Sequence, residues 1–85
     1  MKNRMIIGVK VAEFAKSSNQ VQEIFKDNGC SIRTRIGLHD VNEGVCDPKG
    51  IILIEFIGDA VEQKEFVAAL TAVKGVIVKT MTFDE

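Results

Sequence analysis

From Arg4 to Val11 the apolar residues Met5, Ile7, Val9 and Val11 alternate with Arg4, Gly8 and Lys10. That period of two predicts a strand, with Ile6 adding an apolar side chain to its second face. The period then changes: Phe14, Val21, Ile24 and Phe25 share one side of a helix, and Asn28-Gly29 supplies its stop, so a helix is expected over about 14–28. Next, Cys30, Ile32, Thr34, Ile36 and Leu38 alternate with Ser31, Arg33, Arg35 and Gly37, the pattern of an edge strand with one apolar and one basic or small face. Cys30 and Ile32 are expected to point to the core, and Arg33, Arg35 and Gly37 to the opposite face.

Between His39 and Gly50 no period holds, and Asn, Asp, Pro and Gly accumulate, as in a loop between antiparallel strands. Ile51 to Ile57 is apolar except at Glu55, so it belongs in the centre of a sheet, covered on both faces. Asp59 with Glu62 three residues on predicts a capped helix, with Val61, Phe66, Ala69, Leu70 and Val73 as its buried stripe and Lys74-Gly75 as its stop. A last strand follows from Val76 to about Phe83.

Strand, helix, glycine stop and strand thus occur twice, NGCSIRTRIGL being echoed by KGVIVKTMTF. Two right-handed crossovers place both helices on one face of an antiparallel sheet, with the first and third strands in the middle. The expected fold is an α+β, ferredoxin-like βαββαβ sandwich forming one domain over residues 1–85. Its second sheet face carries apolar residues from the third strand together with Ile6, Ile77 and Met81, which predicts burial against another copy in a homodimer or homotetramer.

Composition narrows the function classes. Eighty-five residues hold one core, and 46% hydrophobic with 27% charged residues is a globular balance. A net charge of -1 offers no basic footprint for a phosphate backbone, so no direct nucleic-acid binding is expected. No apolar run approaches the roughly 20 residues of a membrane span, Met1–Val11 reads as a strand and not a leader, and two unpaired-looking cysteines fit a reducing compartment; a cytoplasmic location follows as the expectation.

Specific chemistries on this scaffold fail on particular residues. Base stacking on the central strands would need exposed aromatics, but there is no Trp or Tyr and only Phe56 among the Phe residues falls there. The segment after the first strand, VAEFAKSSN, has neither the cysteine pair of a soft-metal carrier nor a glycine- and arginine-bearing phosphate cradle. With no P-loop and no nucleophile elbow, the chain is not expected to be an enzyme, an inter-subunit active site being the remaining alternative.

Two constellations are left. His39, Asp40, Glu43, Cys46 and Asp47 offer an imidazole, a thiol and three carboxylates within nine residues, a ligand set suited to a transition metal; equally, they read as a solvated loop with Cys46 as a small apolar filler. Arg33 and Arg35, with Lys79 beside them, form an anion site or pair with carboxylates of a second subunit, and Gly37 allows close approach of a ligand or a backbone.

The segments RIGL at Arg35–Leu38, IILIEF at Ile51–Phe56 and GVIVK at Gly75–Lys79 resemble those of the iron-only hydrogenase system regulators. That family is itself similar to the C-terminal domain of nickel-responsive regulators and to ACT-type domains. The resemblance implies a homo-oligomeric regulatory domain that binds a small effector at a subunit interface, acts on a protein partner and serves hydrogenase expression or maturation. The candidate residues for binding such an effector are Arg33, Arg35, Gly37 and Leu38. On the nickel-regulator pattern His39 and Cys46 are metal ligands of a sensor, completed by carboxylates or a second subunit.

Overall fold

The computed structural model describes the backbone of residues 3–11, 14–42 and 45–84 and the side chains of residues 4–11, 19–38 and 50–83. The elements follow the order β1 (Asn3–Val11), α1 (Phe14–Asp27), β2 (Ile32–Asn42), β3 (Val45–Phe56), α2 (Ala60–Thr71) and β4 (Val76–Asp84). The strands form one antiparallel sheet in the order β2-β3-β1-β4. This is the α+β ferredoxin-like arrangement, with the most apolar strands, β1 and β3, in the middle. No helix among the described residues is long and apolar enough to cross a membrane.

Both helices cover the face formed by the odd-numbered residues of β1. There Ile7, Val9, Val11, Ile54 and Phe56 meet Val21 and Phe25 of α1 and Phe66 and Leu70 of α2, all buried. The Phe56 and Phe66 rings stack with centroids 4.5 Å apart, and Phe25 lies 6.2 Å from Phe66. Filling the sheet-to-helix layer with three rings needs few residues, which suits a chain this short.

Local chemistry fixes the helix ends. The Asp59 carboxylate accepts from the Glu62 N–H at 2.9 Å while Glu62 accepts from the Asp59 N–H at 3.2 Å, the reciprocal capping box read from the sequence. Asn28 Nδ2 donates to the Ile24 carbonyl at 2.8 Å, closing the end of α1. Past α2, the Val76 N–H returns to the Val73 carbonyl and Gly75 sits at φ 82°, the turn position that favours glycine. On α2 the buried face is made by Gln63, Phe66 and Leu70; Val61, expected inside, is 65% exposed, and Ala69 is exposed too. Gln63 is held there by donating to the Gly58 carbonyl at 3.2 Å.

Two expectations about β2 are overturned. Residues 39–42 and 45–50 are strand and not loop: β2 and β3 continue, pairing His39 with Gly50, Val41 with Cys46 and Asn42 with Val45. The ladder slips between His39 and Val41, opposite the stretch containing Pro48, which has no N–H to donate. A second slip lies between Ile32 and Thr34. It puts an extra residue, Arg33, into β2, and one extra residue reverses which face every later side chain takes. Arg35 and Gly37 therefore lie opposite the core-side Ile54 and Ile52, while Ile36 and Leu38 lie opposite Leu53 and Ile51 on the helix-free face. Cys30, expected inside, is exposed, because the chain leaves α1 through a 3-10 turn at Gly29–Ser31 before β2 begins.

Candidate functional site

Arg35 is the most constrained exposed cation of the sheet edge. Its guanidinium carbon lies 4.8 Å from the centre of the Phe25 ring, and Nη2 donates to Gln22 Oε1 at 2.8 Å. Both partners come from α1, three residues apart and so on one side of the helix. Stacking and one hydrogen bond hold the planar fork in place, each contributing on the order of 1 kcal/mol or less at an exposed site. A neutral amide satisfies one of five donors, and no carboxylate pairs with Arg35 among the described residues.

Around it is an open groove of about 400 Å³ between α1 and the edge of the sheet, lined by Gln22, Glu23, Phe25, Lys26, Gly29, Ile32 and Arg35. Two residues on, Gly37 lies on the same side of β2, and a side chain added there would meet nothing within 4 Å. β2 is an edge strand, with β3 its one neighbour in the sheet. An apolar ring edge, a fixed cation and an accessible main chain together suit a small ligand carrying a carboxylate or phosphate.

The residues expected to act together are divided by the fold. Arg35 and Gly37 share the groove side of β2. Leu38 is 48% exposed on the opposite face, and Arg33 stands at the slip, so the four do not converge on one face. Lys79 also lies on the helix-free face, opposite Gly8, away from Arg35. Gln22, Glu23 and Lys26 of the groove are not singled out by the sequence, and Gly29 is singled out there only as a helix stop. The Gln22-Phe25 spacing on α1 was the available signal, but it points to β2 only once the slip is known.

The metal reading rests on His39 and Cys46, whose side chains lie outside the described residues, as do those of Asp40, Glu43 and Asp47. Their backbone places are defined: His39 and Cys46 are on opposite strands of the hairpin, paired with Gly50 and Val41.

The helix-free face is a second candidate surface. Its rows, read across β2, β3, β1 and β4, are Leu38, Ile51, Lys10 and Ile77; then Ile36, Leu53, Gly8 and Lys79; then Thr34, Glu55, Ile6 and Met81. Ile36, Leu38, Ile51, Ile77, Met81 and Phe83 are each 40–57% exposed. At one end Glu55 accepts from Thr34 Oγ1 at 3.1 Å and pairs with Arg4 Nε at 3.3 Å, tying three strands together.

No protein-family model and no curated protein matches the chain. Its fold is similar to the solved structure of the uncharacterized protein TM1266 from Thermotoga maritima, with a TM-score of 0.83 and 25% sequence identity over 99% of this chain and 100% of that one.

Proposed function

We propose that the chain is a homo-oligomeric regulatory module that assembles through its helix-free sheet face and binds a small anionic effector in the groove beside Arg35. The observation that carries this reading is the position of Arg35, held by Phe25 and Gln22 and left without a carboxylate among the described residues. An arginine fixed in place spends less side-chain entropy on binding a carboxylate or phosphate than a free one.

The link between binding and assembly is β2 itself. Arg35 and Gly37 face the helix side of the sheet, while Ile36 and Leu38, one residue along, address the open face. A ligand that tightens or shifts this edge strand changes the fit of the face behind it, and that differential fit is the coupling such a regulator needs. Action on a protein partner, and a place in hydrogenase expression or maturation, belong to this proposal through the family resemblance alone.

The test is isothermal titration of the protein with a panel of small carboxylates, amino acids and phosphate esters. A binding member is expected to lose at least roughly tenfold in affinity in Arg35→Met, the weight of a charge-assisted hydrogen bond. Binding unchanged in Arg35→Met, or no binding across the panel, counts against the groove.

The hairpin register favours a second reading, a metal sensor, because it brings the backbones of His39 and Cys46 onto neighbouring strands. In that case the His39→Ala/Cys46→Ala double variant loses the uptake of zinc or nickel that the parent chain shows by native mass spectrometry. Equal uptake by the two rules it out.

A further inference from the structure

Gly8 stands in the middle of the helix-free face, on central strand β1, between Leu53 of β3 and Lys79 of β4. Nothing among the described residues calls for a glycine there. Its backbone is ordinary strand, the positive φ belonging to Gly75. A Cβ built on it would meet Leu53 Cδ2 at 3.8 Å and the Lys79 carbonyl at 3.9 Å, ordinary contact distances. An alanine therefore fits, and in a strand interior it would be the more stabilising residue. The dent is a local cost that the single chain does not recover.

A second copy recovers it. We propose that the sheet faces pair about a two-fold axis running between β1 and β3, with Leu53 of each copy seated in the other's Gly8 dent. This inference rests on the open-face assembly proposed above and specifies its geometry. When two faces meet across a two-fold axis, the axis lies in the interface, and a knob and its hole must be equidistant from it. Leu53 and Gly8 are register partners on adjacent strands, so the axis passes midway between them, close to the strand direction and through the centre of the four-stranded sheet. Aligned packing of twisted sheets needs only a small rotation away from that direction.

The same axis sets the other rows, placing Thr34 over Met81 and Glu55, already paired with Arg4, over Ile6 in the third. It lays β2 over the partner's β4 and β3 over the partner's β1, so Leu38 meets Ile77, Ile51 meets the stem of Lys10, and Ile36 meets the stem of Lys79. No cation faces a cation, and each lysine covers an isoleucine with its methylenes. Four strands of about nine residues give a face of roughly 600 Å² per copy, on strand spacings of about 4.8 Å and a rise of about 3.3 Å. The pair then buries roughly 1,200 Å², the lower end of specific stable interfaces. A knob and hole side by side on one face are self-complementary, which selects a second copy over an unrelated partner.

Sedimentation equilibrium on the wild type, Gly8→Ala, Gly8→Val, Leu53→Ala and the Gly8→Val/Leu53→Ala double variant tests this, with thermal unfolding as the check on folding. Gly8→Ala and Gly8→Val are expected to leave the folded monomer as stable as wild type or more so, yet weaken the dimer at least roughly tenfold, Val more than Ala. The double variant regains part of the loss because the smaller Leu53 replacement makes room. A dimer that Ile36→Glu breaks but Gly8→Val does not overturns the knob and hole while leaving the open-face assembly standing. A wild type that stays monomeric at micromolar concentration, or a dimer indifferent to both Ile36→Glu and Gly8→Val, overturns the assembly as well and leaves the face to an occupant other than this chain.

Discussion

A methyl group added at Gly58 would stand 2.5 Å from Cε2 of Phe56 and 3.0 Å from Cβ of Glu62, and the Phe56 ring is fully buried under Phe66. Neither neighbour has room to move without disturbing the ring stack or the capping box. Gly58→Ala is accordingly expected to destabilise by about 1–3 kcal/mol, the usual cost of overpacking, read as a lowered urea midpoint with an unchanged slope. Gly75 is a different case, because its φ of 82° and not its surroundings excludes a side chain. There Gly75→Ala should cost on the order of 1 kcal/mol by the same measurement. The two glycines that the sequence offers as matching helix stops are not equivalent in structure: Gly75 takes the left-handed turn, whereas Gly29 opens a 3-10 turn. Sequence echo recorded the repeat of elements but not how each corner is built.

The bounds of β1, α1, α2 and β4 were readable because each rests on a period or a cap that a single chain segment can express. Asp59 with Glu62 is such a signal, and Asp59→Ala should cost about 0.5–2 kcal/mol of stability in urea unfolding, with Asp59→Asn milder. What a period cannot express is a slip. The alternation over 30–38 is real, yet the extra residue at Arg33 shifts its phase against β3, and the slip arises from pairing with a strand some twenty residues away. That one residue turned Arg35 and Gly37 toward the helix side of the sheet and Ile36 and Leu38 onto the open face, the reverse of the faces that unbroken alternation predicts. The hairpin beyond His39 was illegible for a related reason: its polar residues imitate a loop, and the strand pairing that organises them comes from the partner strand and not from alternation.

At the scale of the whole molecule, a core of buried apolar residues shared by the sheet and the helices lies on one side of the sheet, and half-exposed apolar residues lie on the other. The inner layer was legible down to the choice of central strands. The outer layer was legible as a surplus of apolar residues, since β3 is too hydrophobic for a strand wet on one face. Assembly through that layer makes stability depend on mass action: the thermal midpoint of the wild type should rise with protein concentration, and Ile36→Glu should abolish the rise while leaving the monomer folded. A midpoint independent of concentration in both proteins would show that the face is not used in this way.

Because β1 lies between β3 and β4, the strand nearest one end of the sheet's chain path waits for the strand nearest the other, Asn3 finally pairing with Asp84. Contacts so far apart along the chain form slowly, whereas β2 and β3 meet through a short connection. A partly folded chain with β4 undocked thus exposes the hydrogen-bonding edge of a central strand, and at high concentration the β4 of a neighbouring copy is as good an occupant as its own. Exchange of the last strand between copies is the characteristic misassembly this topology invites, and slow refolding at low concentration is the condition that avoids it.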